Sequence, residues 1–492
     1  MSKAFTTTEQ LELEDEVIPL HARDNDLWLA NSIVEIALRF EDVLDIGKLQ
    51  AAWERLLQLG EWRKLGARLR KNQKNGRLEY HVPREYTEER PGVIFTKSQY
   101  NLNVEDYETN QKLPRQLSKP VLLDMDIASR SLLSPDGPRK LDDYIKSDRP
   151  VFAVHAVTFN NCTILTVSFS HVVADGVSFG ILLEAWMAVL RGREGDVPPF
   201  SGYRDDHLAK LPLRASPAPY IHLDRLLKPV GLAGFIIREI IEYLKAPKEE
   251  LRTVGIPDSF VANLRAKALE ELGSRSSESS IQQPFISNGD ILLAWWSRTI
   301  LRALGCRPSK PVAIQQMMDN RPMLTGPYIP SDSVLIGNCM SVICTFSNAQ
   351  EILEQPLSKT AVKIRRSVIE HRTREQVEAW NELYLSYMNG WMPLLFGSSN
   401  MASILCSNMA KANLFDIDFS EAIVAGSPSP KRNSGKPSFI CLPSDAHHVL
   451  PRGTGLIYGK DGEGNWWITW ALSSKAWENV KRELDTLDLS KE

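Results

Sequence analysis

One stretch in the first half of the chain constrains the fold more than any other. Residues 163–170 form an apolar, β-branched run that ends at His171. Four positions later Asp175 and Gly176 interrupt the pattern, and apolar residues at helical spacing then continue to Leu190. This order predicts a buried strand, a short loop and a helix. The sequence therefore favours an α/β structure in which a histidine ends a core strand.

The residue types at the end of this strand suit proton-transfer chemistry. A histidine held by a buried strand has a fixed orientation, and an imidazole that stays neutral near pH 7 can act as a general base. Asp175 stands beside Gly176, a residue able to turn with positive φ, and the acid could fix the loop through a buried ion pair. Taken alone, the same residues also fit a core histidine followed by an ordinary Asp-Gly turn.

A second apolar run precedes the first and pairs with it in a predicted hairpin. Residues 151–159 and 162–169 are separated only by Asn160-Asn161, a polar pair suited to a tight loop. A hairpin that delivers His-x-x-x-Asp-Gly to a helix resembles the plant and fungal BAHD acyltransferases. These enzymes transfer an acyl group from coenzyme A to a hydroxyl or an amine.

A second motif similar to the family follows a strand predicted over residues 311–319. Arg321 stands at the end of that strand, and Gly337-Asn-Cys339 resembles the family's downstream Gly-Asn turn. An aspartate buried behind the active loop needs a partner, and a bidentate guanidinium is the best one. We therefore expect an Asp175–Arg321 ion pair that holds His171 in place. A surface arginine after a turn is the alternative.

A third motif departs from the family. Asp418 and Phe419 match the Asp-Phe-Gly-Trp-Gly region, but Ser420, Glu421 and Ala422 replace its last three residues. In the family this region supports the architecture and the coenzyme A channel, away from the reacting atoms. The resemblance thus implies a supporting role for Asp418 in a divergent, fungal-like member.

Ser407 lies eleven residues before Asp418 and matches, without a gap, a hydroxyl residue of the family. The resemblance implies that this hydroxyl can donate a hydrogen bond to a tetrahedral oxyanion. A hydroxyl in a strand can equally be structural.

The chain of 492 residues exceeds what one hydrophobic core usually holds, so two domains of similar size are expected. The resemblance implies an α/β, chloramphenicol acetyltransferase-like fold. Each domain has a mixed β-sheet flanked by helices, and the active-site channel lies at the interface. A change to Pro, Gly and charged residues after the first helix predicts an N-terminal domain over 1–205 that carries His171, a crossover over 206–250 and a C-terminal domain over 251–492.

Composition excludes several classes of function. The net charge of −3 gives no general attraction to nucleic acid or an anionic membrane. The six cysteines are far apart and lack metal-ligand spacing, which predicts reduced thiols in a cytoplasmic protein without a metal site. The N-terminus lacks the apolar core of a signal peptide. Residues 231–244 are too short and too charged to span a membrane, and the basic cluster over 63–77 is interpreted as a solvated face.

The resemblance implies acyl transfer from acyl-CoA to a hydroxyl, less readily an amine, of a small secondary metabolite. His171 would be the general base and Ser407 the oxyanion donor, supported by Asp175, Gly176, Arg321 and Asp418. Acyl-CoA would be a co-substrate, with no permanently bound cofactor. We expect a monomer that has no nucleic-acid or membrane partner.

Three other functions stay open. Gly176-x-Ser178-x-Gly180 matches the motif of serine hydrolases, in which Asp445 with His447 or His448 would complete the triad. That motif needs a strand running directly into the serine, whereas the predicted strand stops at residue 170. A carrier-dependent condensation-type enzyme and a non-catalytic binder on the same fold are the other two.

Overall fold

The protein is described from a computed structural model over residues 15–107, 113–114, 116–123, 133–211, 219–273, 285–388, 394–426, 433–443 and 451–487. Its core consists of two mixed β-sheets with helices packed against them. The strands are β1 (Glu16–Pro19), β2 (Ile33–Phe40), β3 (Arg68–Lys71), β4 (Leu78–Val82), β5 (Ile94–Gln99), β6 (Val121–Leu122), β7 (Phe152–Thr158), β8 (Thr163–Ser170), β9 (Phe200–Ser201), β10 (Glu249–Pro257), β11 (Pro311–Asp319), β12 (Val334–Leu335), β13 (Met340–Asn348), β14 (Ala402–Asn408), β15 (Pro437–Cys441), β16 (Thr454–Lys460) and β17 (Asn465–Ser473).

The described helices lie between and around these strands. They are α1 (Leu27–Ala30), α2 (Ile46–Leu56), α3 (Leu141–Ile145), α4 (Gly176–Leu190), α5 (Pro229–Lys245), α6 (Asp258–Gly273), α7 (Asn288–Ala303), α8 (Arg321–Leu324), α9 (Ala349–Glu354), α10 (Leu357–His371), α11 (Arg374–Met388) and α12 (Ser474–Asp485).

The two large sheets each take one strand from the other half of the chain. The first has five strands in the order β15-β2-β8-β7-β5, and the second has seven in the order β13-β11-β14-β16-β17-β10-β6. Both mix parallel with antiparallel pairs: β5 is parallel to β7, and β11 and β16 are both parallel to β14. The predicted α/β class with two mixed sheets is confirmed. The predicted domain boundaries did not anticipate that β15 and β6 each join the sheet of the other half of the chain.

The predicted hairpin and helix are present in the first sheet. β7 pairs antiparallel with β8, and the loop closes where Phe159 N–H donates to the Cys162 carbonyl at 2.8 Å. Both strands are almost wholly buried: one face is apolar, and the polar side chains on the other face, such as His155 and Thr166, are buried as well. α4 packs on this sheet through Trp186, whose ring lies 4.8 Å from that of Trp53 on α2. The strand that ends at His171 is therefore rigidly packed.

The interpretation of residues 63–77 as a solvated face is wrong at two positions. Lys64 is 5% exposed, and its ammonium donates to the backbone carbonyls of Gly202 and Tyr203. Burial lowers the pKa of Lys64 to about 8. Arg68 is fully buried and donates to the carbonyl of Pro91 at 2.8 Å. Backbone carbonyls accept from both buried cations, and Arg68 Nε also lies 3.6 Å from Asp148 Oδ1 in an ion pair.

Candidate active site

His171 directly follows the last residue of β8 and is held by its own backbone on both sides. Its N–H donates to the Ser32 carbonyl at 2.9 Å, and its carbonyl accepts from Asn338 Nδ2 at 2.9 Å. The ring nitrogen Nδ1 is buried. Burial lowers the pKa of the imidazole, against the raising effects of its own carbonyl and of Asp175. A pKa below its ordinary value favours the neutral imidazole near pH 7.

Asp175 and Arg321 form a bidentate buried ion pair. Arg321 Nη1 donates to Asp175 Oδ2 at 3.0 Å, and Nη2 donates to Oδ1 at 3.2 Å. The carboxylate also accepts from the backbone N–H groups of Ser178 and Cys339 at 2.8 and 2.9 Å. Burial alone would raise the pKa of Asp175, but Arg321 and these two N–H groups hold it below its ordinary value. Each carboxylate oxygen thus has two donors, none of them His171.

Ser178 lies in the first turn of α4 with its hydroxyl fully engaged. Its Oγ donates to the Gly337 carbonyl at 2.9 Å and accepts from Arg321 Nη2 at 2.7 Å and from Gly337 N–H at 3.0 Å. The side chain has no exposed surface. This hydroxyl cannot reach a substrate in this arrangement, which disfavours the serine-hydrolase alternative. Asp445, His447 and His448 lie outside the described residues.

The turn that carries Asn338 closes the site from the second half of the chain. Asn338 Nδ2 donates to Asp24 Oδ1 at 2.9 Å as well as to the carbonyls of His171 and Val172. Gly337 has a φ of 146°, and a Cβ there would lie 3.2 Å from the Asp24 carboxylate. This close approach, together with the positive φ, requires glycine.

Sequence reasoning singled out the turn but missed Asp24 and the role of Asn338. Asp24 is buried, and burial raises its pKa to about 6 against the lowering effect of its hydrogen bonds from Asn338. The polar run over 21–26 has no apolar periodicity, so the sequence gave no reason to expect that Asp24 is buried.

Ser407 is half-buried near the end of β14, beside Leu456 of β16. Within the described part of the chain, we find no hydrogen bond to its hydroxyl and none between it and His171. The segment that follows packs on the start of α4. The Met409 methyl lies 3.1 Å from where a Cβ on Gly176 would be, and the Ala412 carbonyl oxygen lies 2.6 Å from such an atom on Gly180.

Gly176 does not use the positive φ that glycine allows. Gly176 begins α4 with an ordinary helical backbone and is not among the residues with positive φ. The helix begins here because the Asp175 carboxylate caps it by accepting a hydrogen bond from the Ser178 N–H. The missing side chain instead leaves room for Met409.

Asp418 lies at the far end of α4 from His171. Its Oδ2 is 2.6 Å from Arg191 Nη2, and its Oδ1 accepts from the Ser420 N–H at 2.9 Å. Burial opposes ionisation, but these donors keep the pKa of Asp418 below its ordinary value. The 15 residues of α4 separate Asp418 from the histidine by about 22 Å. The structure therefore does not bring Asp418 to the other predicted site residues.

A cavity of about 480 Å³ lies elsewhere in the molecule, lined in part by Arg39, Glu41 and Trp467. In the pairing of β2 with β8, Ile33 lies opposite Ser170 at the His171 end, and Phe40 lies opposite Thr163 at the other end. Eight strand residues put this cavity about 25 Å from the histidine. It is not the site that His171 faces.

A comparison with protein families identifies the family to which this chain belongs. A model described as the Transferase family matches residues 89–445, which include His171, Asp175, Arg321, Ser407 and Asp418. The chain belongs to this Transferase family, whose members are BAHD-type enzymes.

Two fungal relatives place the chain more closely within the Transferase family. Acetyltransferase adrJ of Penicillium roqueforti is 36% identical over 484 residues, which cover 97% of each chain. O-acyltransferase pboC of Aspergillus ustus is 34% identical over 470 residues, covering 94% of this chain and 97% of the relative. The protein is accordingly an acyltransferase of the Transferase family.

A solved structure agrees on the fold. The crystal structure of F. graminearum TRI101 complexed with coenzyme A and T-2 mycotoxin matches with a TM-score of 0.69 and 16% identity, covering 96% of this chain and 98% of that one. This likeness confirms the predicted two-domain Transferase-family fold. Within the described residues, no helix is both long enough and apolar enough to cross a membrane.

Proposed function

We propose that this protein transfers an acyl group from acyl-CoA to a hydroxyl, less readily an amine, of a small secondary metabolite, with His171 as the general base. One observation carries the proposal: backbone hydrogen bonds fix His171 where the two halves meet, while Asp175 is fully occupied by other donors. A neutral imidazole with Nδ1 buried has Nε2 left to accept a proton from substrate.

The proposed reaction is a direct transfer in one site. His171 Nε2 takes the proton of the acceptor hydroxyl as its oxygen attacks the thioester carbonyl. The hydroxyl of Ser407 or a nearby backbone N–H stabilises the oxyanion. When the tetrahedral intermediate collapses, the carbon–sulfur bond breaks and the imidazolium protonates the leaving thiolate. The products are the acylated acceptor and free coenzyme A.

The names of similar proteins support the donor in this proposal. The adrJ relative is named an acetyltransferase, and the TRI101 structure is a complex with coenzyme A, so acetyl-CoA is the first donor to test. Acyl-CoA acts here as a co-substrate that carries the group, with no permanently bound cofactor. A cytoplasmic monomer remains our expectation.

The direct test is coenzyme A release, with the mass of the product, from acetyl-CoA and a panel of hydroxylated secondary metabolites. We expect release that depends on an acceptor and a product heavier by one acetyl group. A fluorophosphonate probe should leave Ser178 unlabelled because its hydroxyl is buried and bonded three times. Hydrolysis of esters without coenzyme A, together with labelling of Ser178, would instead establish the hydrolase.

Ser407→Ala should lower kcat by about 10²-fold if this hydroxyl stabilises the oxyanion, since removal of one such donor typically has an effect of this size. KM for the acceptor should change little, because the hydrogen bond forms as charge develops on the carbonyl oxygen. The matched control is Ser403→Ala, four residues earlier on β14. Equal kcat values for the two variants would show that the Ser407 hydroxyl does not stabilise the oxyanion.

The pH dependence of kcat/KM should reflect the lowered pKa of His171. Because the base must be neutral, kcat/KM rises as pH increases through the pKa of the free enzyme and then levels off. Burial lowers that pKa, so the midpoint of this rise should lie below 6.5, the ordinary value for histidine. A midpoint above 6.5 for the free enzyme, from kcat/KM measured with the donor well below saturation, would contradict a neutral base.

A further inference from the structure

The helix α5 (Pro229–Lys245) presents an apolar face to solvent. Val230 is 86% exposed, Ile237 is 58% exposed and Leu244 is 70% exposed. The other large apolar side chains on this face are also exposed: Ile236, Ile240, Ile241 and Tyr243. Single exposed apolar residues are common in proteins, but a continuous patch of this kind marks an interaction surface.

The orientation of α5 is the reverse of that expected for a surface helix in water. Leu232 is buried against the protein, but Arg238 and Glu239 also lie on this inner side and are only partly exposed. Arg238 Nη2 donates to the Ser399 carbonyl at 2.7 Å, which fixes the helix with Arg238 on its inner side. A solvated helix would turn its apolar stripe to the core and its charges to water.

The width of the apolar face indicates what covers it. Viewed down the helix axis at 100° per residue, the exposed apolar side chains cover an arc of about 160°, with Tyr243 at one edge and Ile241 at the other. A packed neighbouring helix covers a narrower stripe, so much of this arc would stay in water in a helix pair. The segment leading into the helix adds the exposed side chains of Ile221 and Leu223. A continuous apolar medium covers such a surface better than a second helix does.

The charges around the apolar face fit a lipid surface. Lys228 precedes the first residue of α5, Lys245 ends it, and Lys248 follows, all of them exposed. Such lysines can lay their apolar stems along the acyl region and place their ammonium groups among lipid headgroups. The Lys245 ammonium lies 3.1 Å from Glu242 and the Lys248 ammonium lies 3.1 Å from Glu250, so these two acids offset part of the positive charge.

We propose that α5 binds flat on a membrane surface, with its apolar face in the headgroup–acyl boundary. The helix is about 25 Å long and would lie in the membrane plane rather than cross it. This replaces the expectation of no membrane partner, which rested on net charge and on the inability of residues 231–244 to span. Neither consideration excludes a helix that binds at the surface.

The place of α5 in the fold keeps the candidate site accessible. The helix contacts Ser399, just before β14, whereas Ser407 lies near the other end of that strand. The strand spans about 23 Å, which separates the α5 contact from Ser407 along the sheet. We expect the active site to stay accessible while the protein is bound.

Vesicle flotation of the full chain tests the proposal independently of the acyl transfer. Vesicles of phosphatidylcholine should carry the wild-type protein to the top of the gradient, and added phosphatidylserine should increase the floated fraction. Ile237→Glu/Ile240→Glu should lower partitioning at least tenfold, because burial of even one isoleucine contributes about that much. Ile369→Glu, at a 63% exposed isoleucine on α10, is the matched control and should float like the wild type.

Two results would overturn the proposal. If the wild-type protein fails to float with either vesicle, α5 is not a membrane-binding helix. If light scattering shows a dimer that Ile237→Glu/Ile240→Glu converts to a monomer while the wild-type protein does not float, a second copy covers this face instead. Acyl transfer in solution should be equal in the wild type and both variants, so loss of flotation does not reflect loss of the fold.

Discussion

His171→Ala should reduce acyl transfer by about 10²- to 10⁴-fold, the range expected when a general base is removed. The loss should fall on kcat, since the imidazole moves a proton as the acceptor oxygen attacks and contributes less to ground-state binding. The backbone bonds to Ser32 and Asn338 do not involve the side chain and should persist. The measurement is kcat with acetyl-CoA and the best acceptor, alongside the midpoint of thermal unfolding.

The control for this variant is His81→Ala, which removes a half-buried histidine of β4 that bonds to Glu79. It should retain kcat within a few-fold of the wild type. A His171→Ala protein that unfolds at a normal temperature and keeps more than a tenth of wild-type kcat would refute a general-base role.

Arg321→Met should cause the largest loss of stability of any substitution at the site. It leaves the buried Asp175 carboxylate without its cation, and removal of one partner of a buried pair typically costs about 3–5 kcal/mol in the free energy of unfolding. Ser178 Oγ and the carbonyls of Leu335 and Gly337 also lose donors. Transfer should fall in parallel because the loop that carries His171 loses its support. Urea unfolding measures the change.

Two further variants test whether the loss of stability is specific to the buried ion pair. Arg191→Met removes a partly exposed cation that pairs with Asp418, and it should cost less than about 1 kcal/mol. Asp175→Asn/Arg321→Met removes both buried charges and should recover part of the stability lost in Arg321→Met. If Arg191→Met and Arg321→Met destabilise the protein equally, the buried pair does not have the energetic role assigned to it.

Local pattern and resemblance were enough to predict the core of the site. The run that ends at His171 has the apolar period of a buried strand, and the Asp-Gly pair marks the start of α4. The pairing of Asp175 with Arg321 followed from a physical need: a buried carboxylate requires a cation, and the family resemblance indicated which one. These inferences succeeded because each depended on few residues.

The rest depended on contacts between distant parts of the chain. Asn338 and Asp24 lie 314 positions apart in the chain but form hydrogen bonds, and no local sequence pattern predicts this contact. Lys64 and Arg68 were misjudged because charge density predicts solvation, whereas carbonyls of remote loops accept from both cations and Asp148 pairs with Arg68.

The exchange of β15 has a consequence for how this chain is made on the ribosome. β2 is buried along its whole length and lies between β8 and β15, so it remains an unpaired edge until residues 437–441 are synthesised. At typical elongation rates, more than 250 residues after β8 require on the order of ten seconds or longer. A nascent chain that exposes a long apolar edge for that time is open to misassembly and is a natural client for chaperones.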